Sequence, residues 1–163
     1  MILGKYNLTS SDGTTAQAGL GDEAMIGGSR YKYCLCNAST ALAAYALCHI
    51  SAAGLVTEST TTLVGTAARP TGYCIPQFAV AVSEYFWAPI GPFRVREDGS
   101  TTFKVLAANA ATSVRLYTTG TAGVVDDAVT TGLVAGLALT ETVTTQEAAD
   151  CVAAQRLVAF CEL

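Results

Sequence analysis

Charged side chains are scarce in this sequence. They make up 13% of its 163 residues, whereas about a quarter is usual for a soluble domain. The net charge is −4 and no segment gathers more than three basic residues, so the chain lacks the basic patch that nucleic acid or anionic lipid would require. We therefore predict no direct nucleic-acid partner and no membrane partner. A surface poor in charge also favours burial in contacts with other subunits.

Groups that support catalysis are few. His49 is the only histidine, and on a strand its neighbour Cys48 would point to the opposite side. The acid pairs Asp22-Glu23 and Asp126-Asp127 diverge in an extended chain, and we interpret them as solvated loop acids. The segment Gly27-Gly28-Ser29-Arg30 lacks the Lys-Ser/Thr of a phosphate-binding loop. We expect no catalytic residue, no cofactor and no small-molecule substrate, and hence a protein that is not an enzyme.

The sequence contains no CxxC motif, and its first 15 residues contain no apolar run of the length that a secretory signal needs. We therefore expect synthesis in the cytoplasm and interpret the cysteines as reduced, buried thiols. A zinc site is the alternative, but one histidine and scattered cysteines do not favour it, so we predict no metal. The six cysteines are Cys34, Cys36, Cys48, Cys74, Cys151 and Cys161.

A long stretch without formal charge, Cys34 to Thr57, is rich in alanine and includes polar residues. This composition favours a core or interface segment over a membrane span. Within it, residues 37–46 fit either a short helix or a turn that leads into a strand.

Glycine, serine, threonine and alanine dominate the first 28 residues, which show no helical or strand periodicity. We predict an extended N-terminal arm over residues 1–28, ordered on its own or only on binding. Alternation begins at Ser29, with Tyr31, Tyr33 and Leu35 on one face of a predicted strand. We therefore predict a single β-rich domain over residues 29–163.

Further strands are predicted along this domain. Phe78, Val80 and Val82 share one face of a segment that is apolar on both faces, which favours a central strand. The aromatic residues 85–87 follow it, and we expect them near a strand end or bend before Pro89. Asp98-Gly99 is a favoured hairpin turn.

The second half of the domain shows apolar segments at Val114–Leu116, at 131–140 and at 155–163. Gly and Thr residues interrupt the chain about every eight to twelve residues, which is typical of the short strands of an antiparallel β-barrel or β-sandwich, and the fold class is accordingly all-β. Residues 146–160 also place apolar side chains on one helical face, so a helix remains the alternative there.

Several segments occur in an order that resembles a known family. These are GSRYKYC, GTAARPTGYCIPQFAVAVSEYFWAPIGPF, LYTTGTAGVVDDAV and LVAGLAL, followed by a closing apolar strand. The order resembles that of the decoration, or cement, proteins of tailed-bacteriophage heads, which carry YxGW-like and LYTTxTAGVxDD-like segments. The likeness covers about Arg30 to Leu163. One departure is Phe86, which stands where the family pattern has glycine before the tryptophan.

The resemblance implies a homotrimer on the outer surface of the virion that bridges major capsid proteins. We predict contacts with the capsid or a neighbouring subunit through the arm, at Met1, Ile2, Leu3, Tyr6 and Leu8. We predict that Tyr85, Phe86 and Trp87 provide packing that holds the barrel or the trimer.

Two alternatives remain open at this stage. The first is another self-assembling virion subunit, namely a tail-tube, head-completion or fibre protein, because the same composition suits any such assembly. The second is a carbohydrate-binding β-module that uses residues 85–87 as a stacking surface.

Overall fold

The structure is a computed structural model that describes residues 6–37, 39–61, 72–93, 103–129 and 132–161. The elements named in it are strands, which confirms the all-β prediction. They form a six-stranded N-terminal sheet, β1–β6, and a closed C-terminal barrel, β7–β11. The strands are β1 (Glu23–Ile26), β2 (Ser29–Cys36), β3 (Cys48–Ile50), β4 (Leu55–Glu58), β5 (Gly72–Cys74), β6 (Tyr85–Pro89), β7 (Phe103–Ala107), β8 (Leu116–Thr118), β9 (Val125–Asp126), β10 (Gly132–Leu139) and β11 (Glu147–Cys161).

Strand β2 is the centre of the N-terminal sheet. One of its edges pairs with β6, and the other pairs with β1 along its first half and with β4 at its end. Beyond β4 the order continues through β3 to β5. The sheet curls back on itself, because Ile75 at the end of β5 donates its amide to the carbonyl of Pro89 in β6, at 3.2 Å.

The C-terminal barrel closes in the order β10-β11-β7-β9-β8. Its inward positions alternate as expected for strands, so that Phe103, Val105 and Ala107 are buried on β7. On the outer side of the same pair, Lys104 of β7 lies opposite Asp150 of β11, and their charged groups are 3.3 Å apart. Strand β11 runs unbroken over residues 147–161, so the helix alternative for that segment is wrong.

Two buried clusters form the core. The first fills the barrel and extends under one face of the N-terminal sheet, where it includes Tyr33 and Trp87. The second lies inside the curl of the N-terminal sheet, where Phe86 and four cysteines belong to it. Strand β6 therefore contributes to both clusters, since successive residues of a strand point to opposite faces.

The turn between β8 and β9 joins the barrel to the sheet. Gly123 accepts a hydrogen bond from the amide of Leu47 at 2.8 Å and donates one to the carbonyl of Ser59 at 2.9 Å. Its φ is +75°, and a Cβ atom at this position would lie 2.7 Å from that of Ala46. Only glycine fits both the backbone conformation and the space. Gly123, the second glycine of the TTGTAG segment, therefore stabilises the contact between the barrel and the sheet.

The two acids after this turn stabilise loop backbone. Asp127 accepts a hydrogen bond from the amide of Ala111 at 3.1 Å, and Asp126 accepts one from the amide of Ala128 at 3.1 Å. Burial raises the pKa of the Asp126 carboxyl above its ordinary value.

The predicted central strand at Phe78–Val82 is wrong. Only Val80 makes a bridge there, with Leu42, and the chain then turns at Ser83, whose φ is +63°. The strand lies after this turn, in β6 at Tyr85–Pro89, and contains the aromatic residues that we expected at a strand end. The apolar residues before the turn instead cover the second cluster, in which Val80 is fully buried.

Two further predictions concern the segment before β3 and the hairpin at Asp98-Gly99. Residues 39–47 form neither a helix nor a regular strand, apart from the bridge at Leu42. The hairpin predicted at Asp98-Gly99 lies outside the described residues, although β7 begins just after it.

Candidate functional site

An aromatic platform lies on the face of the N-terminal sheet that is turned toward the shared core. We define it as Tyr33 of β2 with Tyr85 and Trp87 of β6. The antiparallel register places Tyr33 directly opposite Trp87 and Leu35 opposite Tyr85. Alternate residues of each strand point to the same face of the sheet, and residues that are opposite or diagonal on paired strands lie close together. These three rings therefore lie next to one another.

The rings of the platform are in contact with one another. Tyr33 stacks on Tyr85, with centroids 5.8 Å apart and planes 13° from parallel. It also packs against Trp87 at 5.0 Å with a tilt of 49°. Both distances lie within the range at which aromatic pairs stabilise a fold beyond their buried area.

The N-terminal arm lies across this platform. The ring of Tyr6 meets Trp87 edge-on, with centroids 4.9 Å apart at 84°. Leu8 and Ala18 are partly buried and pack against the first cluster. The arm therefore shields the platform, and Trp87 is left only 6% exposed.

Hydrogen bonds fix the arm along its length. The amide of Asp12 donates to the carbonyl of Tyr85 at 2.8 Å, and the amide of Tyr85 donates to the carbonyl of Gly13 at 2.9 Å. The amide of Gln17 donates to the hydroxyl of Tyr33 at 2.9 Å. Burial raises the pKa of that hydroxyl, while the contact with Gln17 acts in the opposite direction. The arm thus adds a bridge to the edge of β6 that β2 does not occupy.

The arm leads into a hairpin that crosses the predicted domain boundary at residue 28. Strands β1 and β2 are joined by Gly27 and Gly28, whose φ values are +57° and +78°. Two positive φ values in a two-residue loop are the signature of a type I′ turn. The glycine pair therefore makes a turn within the sheet.

The structure brings together some of the predicted contact residues. Tyr6, Tyr85 and Trp87 meet at the aromatic platform, and Leu8 packs against the first cluster, to which the platform belongs. Phe86 does not, because it points into the second cluster and packs edge-on against Phe78, with centroids 6.4 Å apart. Met1, Ile2 and Leu3 lie outside the described residues.

Apolar side chains also face outward from this part of the molecule. Six large apolar residues are exposed among the described residues, and three of them, Tyr6, Leu20 and Met25, lie within residues 6–26. Met25 is 58% exposed on β1. The arm has no periodicity from which an outer face can be assigned, so Leu20 and Met25 were not predicted as contact residues. We name these three residues the arm surface.

The potentially reactive groups are set apart from this surface. His49 on β3 is partly buried and faces away from Cys48 and Ile50, as its strand position predicts. Burial lowers the pKa of its imidazole, and a backbone contact with Thr57 opposes that shift. Within the described ranges, no three histidine, cysteine or acidic residues are grouped as a metal site requires.

A groove of about 500 Å³ lies on the barrel, away from the aromatic platform. Residues 113–115 before β8 line one side, and Leu133 to Ala138 of β10 line the other. It forms where β8 and β10 diverge, since their pairing is limited to Leu116 and Tyr117 opposite Val134 and Leu133. Arg115 is the charged residue of its lining.

The described part of the chain contains no helix of the length and apolar character needed to cross a membrane. Comparison of the chain with protein-family models, with curated proteins and with solved structures found no match.

Proposed function

We propose that this chain is a non-catalytic structural subunit that decorates the outside of a tailed-bacteriophage capsid. It would assemble as a homotrimer and bridge neighbouring major capsid proteins. The order of sequence segments described above supports this proposal. The observation that carries it is the arm surface: a segment that is fixed to the domain by its inner side presents apolar residues on its outer side.

The construction of the arm suits a permanent contact. Its inner side is held by the Tyr6–Trp87 ring contact and by the bridge to Tyr85. Because these contacts already order the arm, binding to a partner would not pay the full entropic cost of ordering it. Preorganisation of this kind favours stable attachment.

The exposed apolar side chains of the arm agree with a subunit whose surface is partly covered by its neighbours. Exposed apolar side chains scattered singly need no explanation, but here Tyr6, Leu20 and Met25 belong to one segment of about twenty residues. A shell subunit can bury such a segment against a neighbour while the remaining surface stays in solvent. Three copies in one trimer would then attach with an avidity that exceeds the affinity of a single copy.

The carbohydrate-binding alternative needs flat rings that are open to solvent. Phe86 is fully buried and Trp87 is 6% exposed beneath Tyr6. The platform is therefore already occupied by the arm, and no observation favours this alternative.

Binding to capsids tests the proposal. The purified protein is sedimented with heads of the encoding phage that were assembled without it, and the bound fraction is measured over a range of concentrations. We expect saturable binding that Met25→Lys weakens by roughly tenfold or more, since a charge placed in an apolar contact costs more than about 1.4 kcal/mol.

The matched control is Val152→Lys. Val152 is 47% exposed on β11 of the barrel and, like Met25, is an apolar residue on the outer side of a strand. We expect this variant to bind as the unchanged protein does. Failure of the unchanged protein to bind heads at any concentration would refute the proposal, and equal weakening by both variants would refute the role of the arm surface.

A further inference from the structure

Four thiols lie together inside the curl of the N-terminal sheet. Cys34 and Cys36 belong to β2, Cys48 to β3 and Cys74 to β5, and all four are fully buried in the second cluster. The proposed role in capsid decoration does not use these thiols. Their positions in the strand register distinguish one pair from the rest.

Only one of the register pairings described for these strands joins two cysteines. Cys48 lies directly opposite Cys74 in the antiparallel β3–β5 pair. By contrast, Cys34 lies opposite Phe86, and Cys36 lies opposite Val56. The thiol of Cys48 donates to the carbonyl of Ala46 at 3.4 Å, and it lies close enough to Cys74 to raise the pKa of that thiol.

The hydrogen bonds on the other side of β3 identify the type of pair. The carbonyl of Leu47 accepts from the amide of Ser59, and the amide of Ser51 donates to the carbonyl of Leu55, so residues 47 and 51 bond toward the β4 side. Backbone polar groups alternate sides along a strand, and those of Cys48 therefore point toward β5. In such a hydrogen-bonded pair the Cα atoms are about 5.5 Å apart, which lies within the range of about 4.4–6.8 Å that a disulfide spans. The Cβ atoms of such a pair are farther apart than the roughly 3.5–4.5 Å of a disulfide, so the two strands must shift locally for the bond to close.

We propose that Cys48 and Cys74 are a latent cross-link that forms a disulfide between β3 and β5 when the protein meets an oxidising environment. The bond would close the chain between residues 48 and 74, which contains β4. It would fasten the β3–β5 pair, in which each strand has only three residues. The cross-link itself does not depend on the proposed capsid role.

The chemistry needs a small-molecule disulfide as oxidant. One cysteine thiolate attacks a sulfur of the oxidant, which gives a mixed disulfide and releases one small thiol. The second cysteine thiolate then attacks the protein sulfur and releases the other small thiol. Two protein S–H bonds are lost, one protein S–S bond forms, and the two electrons reduce the oxidant to two thiols.

Burial sets the rate of this reaction. It raises the pKa of the Cys74 thiol well above its ordinary value, and the contact with Cys48 acts in the same direction. Since the thiolate is the reactive form, oxidation has to wait for local opening at β5. The pair then stays reduced in a cytoplasm and oxidises slowly outside a cell.

The test uses the full-length, reduced protein incubated with oxidised glutathione for hours to days. Remaining thiols are alkylated in denaturant, and the digest is mapped by mass spectrometry without reduction. We expect a linked peptide that contains Cys48 and Cys74, and a mass lower by two hydrogen atoms before alkylation. The oxidised protein should unfold at a temperature higher by roughly 5–10 °C, and reduction should abolish the difference.

Two variants provide the comparison. Cys34→Ala removes a thiol of the same cluster and should still form the cross-link, whereas Cys74→Ala should not form it. Because the peptide map of the unchanged protein identifies the pair directly, the result does not depend on the folding of either variant. A dominant link that involves Cys34 or Cys36, a stable glutathione adduct, or full alkylation of Cys48 and Cys74 after prolonged oxidation would each overturn the proposal.

Discussion

The barrel and the N-terminal sheet solve the same packing problem with different means. The barrel is built around two long strands, β10 with 8 residues and β11 with 15, and it closes on itself although β8 has three residues and β9 has two. The sheet is built around β2 with 8 residues, but β3 and β5 have three residues each, and loop residues such as Leu42 and Val80 complete its core. The barrel therefore closes through its own strands, whereas the sheet depends on loops and on the N-terminal arm for cover.

This difference assigns separate roles to the two regions. Segments with short strands and covering loops open at a lower free energy than long paired strands. The arm surface belongs to the region that relies on such cover, and the barrel holds that region in place through the turn at Gly123. Each of the following predictions probes one side of the comparison.

The largest effect is expected when a large side chain of β6 is replaced by alanine, because the two faces of this strand belong to different buried clusters. Trp87→Ala and Phe86→Ala should each lower the free energy of unfolding by about 3–5 kcal/mol, because a large buried ring is replaced by a cavity. Trp87 lies in the first cluster, which fills the barrel, and Phe86 lies in the second cluster, which the barrel contacts through Leu106 of β7.

Hydrogen exchange separates these two effects. In Trp87→Ala we expect faster exchange of amides in both regions. In Phe86→Ala we expect the increase in β3 to β5, while β10 and β11 stay protected. An equal loss of protection in the two regions of Phe86→Ala would show that the sheet and the barrel are not distinct.

A smaller effect is expected at the turn that joins the regions. Gly123→Ala should lower the free energy of unfolding by about 2–4 kcal/mol, because it combines a positive φ with a clash against Ala46. The control is Gly120→Ala in the same turn, where an added Cβ meets no atom within 4 Å. Thermal unfolding of both variants measures the difference, and similar melting temperatures would refute the role of Gly123.

Loss of the arm contact should cost less again. Tyr6→Ala removes an edge-on ring that is itself 40% exposed, so we expect a loss of about 0.5–1.5 kcal/mol. Trp87 is the only tryptophan, and its fluorescence emission should shift to longer wavelength as solvent reaches it. Val152→Ala, on the barrel, should leave the emission unchanged. An unshifted spectrum for Tyr6→Ala would mean that the arm does not cover the platform.

The smallest effect is a dependence on pH that belongs to the sheet, because His49 is the only histidine. Burial lowers the pKa of His49 in the folded protein, so between the two pKa values the unfolded chain binds more protons. The stability contributed by the neutral imidazole is present above the unfolded pKa of about 6.5 and falls as the pH drops toward the folded value. Urea unfolding should show this slope, and His49→Gln should flatten it. A slope unchanged by the substitution would contradict the assignment.

Alternation predicted β2, in which Tyr31, Tyr33 and Leu35 share one face. The glycine-interrupted apolar segment at 132–139 predicted β10 without any polar alternation. Strand β6 was misplaced because residues 75–90 are apolar on both faces and carry no periodic signal. The turn at Ser83 that decides its position was missed, although serine is a common turn residue and Glu84 stabilises the turn locally by accepting a hydrogen bond from the amide of Ala81 at 3.2 Å.

The candidate site was only partly predictable for a similar reason. Tyr6, Leu8, Tyr85 and Trp87 stand out as aromatic or apolar residues, but their meeting depends on the arm crossing β6, which local sequence does not determine. The Gly27-Gly28 pair was a usable hairpin signal. It was missed because Glu23–Ile26 does not alternate between polar and apolar residues.

Under the proposed function, the N-terminal sheet and its arm, and not the barrel, contact the capsid. Hydrogen exchange of the protein bound to heads, compared with the free protein, tests this most directly. We predict slower exchange on binding within residues 6–26, with the amides of β10 and β11 unchanged. Protection confined to the barrel strands, with no change in the arm, would contradict the account.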